Sequence, residues 1–111
     1  MKNLQHKELA ASKWFRMDLM AQLGNVGSEV SRALSWRKKN NFEQSNKAFF
    51  RALELIYLTI EDKKNIKRLR EITRMREVLI DFFLGKNEYN SDEKFLDKYF
   101  LQFGIAARKN K

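Results

Sequence analysis

The side chains with the plainest chemical potential in this chain are basic ones at helical spacing: Lys63, Lys67, Arg70 and Arg74, with Lys64 and Arg68 beside them. Steps of three and four residues put them on one helix face, opposite an apolar stripe. Such a row suits the phosphates of a nucleic acid, contacted without regard to sequence and in a salt-dependent way. Arg37, Lys38, Lys39 and the basic tail would extend it if the fold brings them to the same side. The competing outcome is a solvated face, partly neutralised by Glu71, Glu77 and Asp81.

Catalytic chemistry has fewer candidates. The serines at 12, 28, 31, 35, 45 and 91 have no histidine base near them in a predicted element, because His6 is the sole histidine. There is no glycine-rich phosphate loop. With no cysteine, thiolate zinc sites, disulfides, iron–sulfur ligation and cysteine nucleophiles are excluded. The carboxylates are scattered among lysines and arginines without a paired-ligand pattern. The expectation is a protein that is not an enzyme and carries no metal or cofactor.

The charge balance points the same way. Lys and Arg number 23 against 14 for Asp and Glu, a net charge of +9, which favours anionic partners. At 111 residues the chain reads as one domain. The longest mainly apolar run, Phe49 to Ile60, contains Arg51 and Glu54 and is too short to span a bilayer, and the first residues have no uncharged signal core. A cytoplasmic protein without a membrane partner is expected.

Positioning these groups falls to helices. Residues 1–10 read as a flexible arm, 11–106 as a helical bundle and 107–111 as a basic tail. The centre is Phe42 to Glu61, whose apolar residues lie almost all the way round and imply wrapping by neighbours. Before it, Phe15, Leu19, Leu23, Val26, Val30 and Ala33 recur at steps of three and four, which predicts one long first helix from about Ala11 to Arg37. The register keeps phase across Gly24 and Gly27, so the helix is expected to run through them. Gly24, Gly27, Ser28, Ser31 and Ser35 then form strips without bulky side chains, serving either packing within the chain or a homodimer seam.

Arg37–Asn40 should end that helix and Asn41–Phe42–Glu43–Gln44 open the next as a capping box, making the two antiparallel neighbours. Asp62 or Asn65 can cap a third helix whose stripe Ile66, Leu69, Ile72, Leu79 and Phe83 reaches Gly85, a candidate left-handed cap. Arg76 falls in line with the stripe and is expected either to snorkel to the surface or to meet a carboxylate, with Glu29 and Glu54 as candidates. Asn90–Glu93 repeats the capping logic before a fourth helix bearing Phe95, Leu96, Tyr99, Phe100 and Phe103. The predicted fold is an all-α, antiparallel up-and-down four-helix bundle with a long first helix.

Two resemblances lie in the first hairpin. NFEQSNKAFFRALEL, Asn41 to Leu55, resembles the second half of a tetratricopeptide repeat, with Phe42, Ser45, Phe49, Ala52 and Leu53 at matching spacings and Ala33 and Trp36 ahead of them. The architecture and the phrase KAFFRALELI also look like the small HEPN-type helical bundles, which implies a dimeric helical protein. The nuclease members of that group resemble one another through an arginine followed by a histidine. Here His6 precedes every arginine, so the resemblance brings no ribonuclease activity. Nine Phe, three Tyr and two Trp exceed what a four-helix core of this size hides, and Trp14 and Trp36 are of the type that anchors interfaces. A self-associating interaction module is therefore expected, with a second copy or another protein as partner and nucleic acid as the alternative.

Overall fold

The computed structural model describes residues 12–109, and these are all-α. The long helices are α1 (Leu19–Lys38), α2 (Phe42–Glu61), α3 (Leu69–Phe83) and α4 (Glu93–Lys109). A helical turn at 12–15 precedes α1, and a 3-10 segment, Lys63–Arg68, joins α2 to α3. The predicted arm at 1–10 lies outside the described residues. Ala107–Lys109, predicted as tail, continue α4.

The first helix starts later than its periodicity suggests. Asp18 sits in extended backbone and its carboxylate accepts the Ala21 amide at 2.8 Å, a cap that stops the helix from reaching back to Ala11. The chain turns at Arg16 and Met17, which buries Trp14 and leaves Phe15 41% exposed, the reverse of the predicted stripe. From Leu19 onward α1 runs unbroken through Gly24 and Gly27. A Cβ on Gly24 would meet the Gly104 backbone at 3.4 Å, and one on Gly27 would come within 2.7 Å of the Phe100 Cβ. The glycines therefore let α4 of the same chain come close, and they do not serve as an open seam for a second copy.

Asn41 caps α2 as expected, accepting the Gln44 amide at 3.1 Å. The helix is not wrapped all round, however. Phe49, Ala52 and Ile56 are fully buried, whereas Phe42, Phe50 and Tyr57 are about half exposed. It packs on one side against α1 and on the other against α3, where the Phe49 and Phe83 rings stack with centroids 4.6 Å apart. Burial is shared with Val26, Val30 and Ala33 of α1, Ile72 and Leu79 of α3 and Leu96 and Phe100 of α4.

Between α2 and α3, Asp62 caps the 3-10 segment by accepting the Lys64 amide, and α3 itself begins without a side-chain cap. Asn65 points inward instead of capping. It donates to Gln22 Oε1 at 2.9 Å and to the Thr59 carbonyl at 3.0 Å. Gln22 Nε2 in turn donates to Asp62 and to the Trp14 carbonyl, and Trp14 Nε1 donates to the Thr59 hydroxyl. This buried network pins the residues before α1 onto the end of α2. Among the described residues no buried side-chain polar atom lacks a partner, as a low-dielectric interior requires.

Left-handed positions go to Asn40, Asn87 and Asn90 and not to Gly85. Gly85 serves close approach: its amide donates to the Ile80 and Asp81 carbonyls, and a Cβ there would sit 3.0 Å from the latter. With Asn90 turning the chain, Asp92 accepts the Phe95 amide at 2.7 Å and caps α4, displacing the predicted Asn90 box.

Candidate functional site

The predicted basic stripe does not form one helical row. Lys63 and Lys67 lie in the 3-10 segment, where three residues make a turn, and Arg70 and Arg74 lie beyond it on α3. Nor do Arg37, Lys38 and Lys39 join them, because they stand at the far end of α3, beside Phe82 and Phe83. The Arg37 guanidinium lies 4.9 Å from the Phe82 ring centre, and Lys38 reaches Glu93 at 3.6 Å. Both tie helix ends together. Lys39 lies over the Trp36 ring at 5.3 Å. Of the ion pairs foreseen for Arg76, neither forms: Glu29 is taken by Arg32 at 2.5 Å and Arg51 at 2.8 Å, and no described carboxylate pairs with Arg76.

A different surface gathers the small residues and free cations. The outer side of α1 exposes Ser28, Ser31 and Ser35, and these form the floor of a groove with two open cavities of about 600 and 560 Å³ that share Ser28 and Ser31. The larger lies between α1 and α4, where Gly24 and Gly27 bring the helices close and Lys94, Lys98, Leu101 and Arg108 form the α4 wall. The smaller continues past Ser35 to Arg32, Trp36 and Lys39. From Gly24 to Ser35 the floor runs about 16 Å at the helical rise of 1.5 Å per residue.

The chemistry of this groove is that of an anion site. Its lining carries Lys94, Lys98, Arg108, Arg32 and Lys39 against a single carboxylate, Asp97. Among the described residues Lys94, Lys98, Arg108 and Lys39 make no salt bridge, so their charge is available. The Ser28 hydroxyl donates back to the Gly24 carbonyl at 3.3 Å, while Ser31 and Ser35 have no described side-chain partner and present free hydroxyls to the groove. No protein-family model, curated protein or solved structure matches the chain. Its function has to be read from this geometry.

Three perturbed groups lie elsewhere; one is the Tyr57 phenol, raised by its hydrogen bond to Glu61 and by that carboxylate's charge. Burial would raise the Asp62 carboxyl, but hydrogen bonds from Lys64 and Gln22, with the Lys64 charge, outweigh it and hold the group below the usual carboxylate range. Burial, then the Glu71 charge, raises the Tyr99 phenol. Asp62 belongs to the buried network, and Tyr99 lines an apolar cleft of about 220 Å³ between α3 and α4. Among the described residues no group of three His, Asp or Glu could hold a metal, and no helix is long and apolar enough to cross a membrane.

The wall of the groove escapes sequence reasoning although its signal is present. Lys94, Lys98, Leu101 and Arg108 follow steps of four, three and seven, one face of α4. The small-residue strip is legible on α1. What the sequence lacks is the pairing of the two faces.

Proposed function

We propose that the protein is a non-enzymatic binding module whose α1–α4 groove holds the phosphate backbone of a nucleic acid without reading its sequence. The observation that carries this reading is the serine-floored groove bearing four cations that have no salt-bridge partner among the described residues. Lysine and arginine side chains along a groove track phosphates, and serine hydroxyls can donate to their oxygens. No base-reading element is needed for such binding, since release of counterions drives it. The test is fluorescence anisotropy with labelled single- and double-stranded oligonucleotides of unrelated sequence. Similar affinities across sequences, weakening steeply with salt, are expected. Absence of binding at about 50 mM salt, where counterion release is most favourable, contradicts the proposal.

The architecture proposed around this groove is an antiparallel up-and-down bundle, resembling HEPN-type proteins in plan. Contacts support it. Ser45 meets Ala33 while Arg51 meets Glu29, and Gly104 lies by Gly24 while Phe100 lies by Gly27 and Glu93 by Lys38. In each pair one helix's numbers fall as the other's rise. A cytoplasmic location, close to nucleic acid, accompanies the proposal.

A further inference from the structure

A second opening, apart from the serine-floored groove, lies between α3 and α4. α3 packs on α2 and α4 on α1, so the backbones of α3 and α4 do not close on each other. The facing residues follow helical steps on both sides, Met75, Val78 and Leu79 on α3 and Leu96, Tyr99 and Phe100 on α4. Met75, Leu79, Leu96 and Phe100 are buried and form the floor, while Phe95, 56% exposed, stands as a wall. The space between them is about 220 Å³ and almost wholly apolar. Close-packed interiors leave few voids larger than a water molecule, and an apolar cavity of about 150 Å³ takes a benzene ring. This cleft therefore has room for a ring and a short chain.

Two charged side chains, Glu71 and Arg74, border the cleft. Glu71 accepts from two nitrogens of the Arg68 guanidinium, at 3.1 and 3.3 Å, so its charge is offset. Arg74 has no salt-bridge partner among the described residues, and Glu77, one turn on, accepts the Tyr89 hydroxyl at 3.4 Å instead. The Tyr99 phenol, raised by burial and by the Glu71 charge, stays uncharged at neutral pH. One positive charge is left over beside an apolar pocket. That combination suits a monoanion with an apolar body, whereas a dianion would meet a single free cation and the Glu71 carboxylate.

We propose that the α3–α4 cleft binds a small aromatic carboxylate, with its ring against Phe95, Tyr99 and Phe100 and its carboxylate on the Arg74 guanidinium. Aromatic side chains favour a ring through offset or edge-to-face contact. The parallel N–H groups of a guanidinium match the two oxygens of a carboxylate. An apolar lining with a few polar groups that fix orientation is the general make-up of a small-molecule site. The cleft is independent of the nucleic-acid reading, because Lys94, Lys98 and Arg108 of the groove take no part in it.

The probes are 3-phenylpropionate, 3-phenylpropanol and 3-phenylpropylamine, alike in size and different in charge. Each is titrated into the isotopically labelled full chain while amide and methyl shifts are followed. With the acid, saturable shifts centred on residues 74–79 and 95–100 are expected, at a dissociation constant of about 1 mM or tighter, the range open to a ligand of about eleven non-hydrogen atoms. The alcohol binds roughly fivefold more weakly and the amine more weakly still. Arg74→Gln brings the acid down to the affinity of the alcohol and leaves the alcohol unchanged. Phe95→Ala, at an exposed position, weakens all three by roughly threefold or more. Circular dichroism checks that both variants keep their helix content. No saturable shift up to about 10 mM, equal affinities for the three probes, or shifts centred on the exposed Phe50 and Tyr57 of α2 overturns the proposal. A preference for the acid that survives Arg74→Gln belongs to the net charge of +9 and overturns it as well.

Discussion

Removing three groove cations, Lys94→Ala/Lys98→Ala/Arg108→Ala, should flatten the salt dependence of nucleic-acid binding by a calculable amount. Each phosphate neutralised on a single strand contributes about 0.7 to the slope of log affinity against log salt. With the four unpaired lining cations engaged, the wild-type slope is about −2.8, which is a loss of roughly 50-fold in affinity between about 50 and 200 mM salt. The triple variant keeps only Lys39 of these, so its slope falls to about −0.7 and the loss over the same range to about 3-fold. Anisotropy titrations at four or more salt concentrations measure both slopes. The control is Lys63→Ala/Lys67→Ala/Arg74→Ala, which removes the same charge from the row first suggested by the sequence. It should leave the slope within about half a unit of wild type, because those side chains lie off the groove. If the control loses the slope and the groove variant keeps it, the cations that matter are on the 3-10 segment and α3, and the placement of the site is wrong.

Three further outcomes follow from packing and charge. Gly27→Ala places a methyl group 2.7 Å from the Phe100 Cβ and should destabilise by about 1–3 kcal/mol, whereas Gly104→Ala, with nothing within 4 Å of its Cβ, should stabilise by about 0.5–1 kcal/mol; opposite shifts in Tm check the pair. Asp18→Ala removes the α1 cap and should cost about 1 kcal/mol in a urea titration, while an unchanged midpoint would show that the cap adds nothing. Asp62, held below its ordinary value in the fold, contributes stability that is full above the unfolded carboxyl value of about 3.9 and is lost as pH falls through the folded one. Asp62→Asn should therefore cost about 1–3 kcal/mol at neutral pH and progressively less as pH falls below about 3.9, and a cost that does not change with pH would refute the linkage.

The sequence discloses its helices where local signals and tertiary packing agree. Asn41 and the short connection before it mark the α1–α2 hairpin, and the unbroken apolar phase carries α1 through Gly24 and Gly27. It misleads where apolar periodicity crosses a cap: Phe15 and Leu19 are in phase, yet Asp18 between them ends the helix. The apolar circumference of α2 does not say which side neighbours will cover, so it implies burial for Phe50 and Tyr57 that the packing does not deliver. A six-residue 3-10 segment has no pattern of its own, and a basic stripe traced at helical spacing passes straight through it. The groove is lined by residues about 70 apart in the chain, Ser28 and Lys98 among them, and periodicity within one helix carries nothing about that.

Whether an anionic backbone lies in the α1–α4 groove is tested most directly by mapping amide chemical-shift changes on the isotopically labelled chain during titration with a short single-stranded oligonucleotide. Shifts concentrated at Ser28, Ser31 and Ser35 and at Lys94, Lys98 and Arg108 are predicted, diminishing together as salt is raised. Shifts confined to residues 63–76, or none while the oligonucleotide still binds, would contradict it.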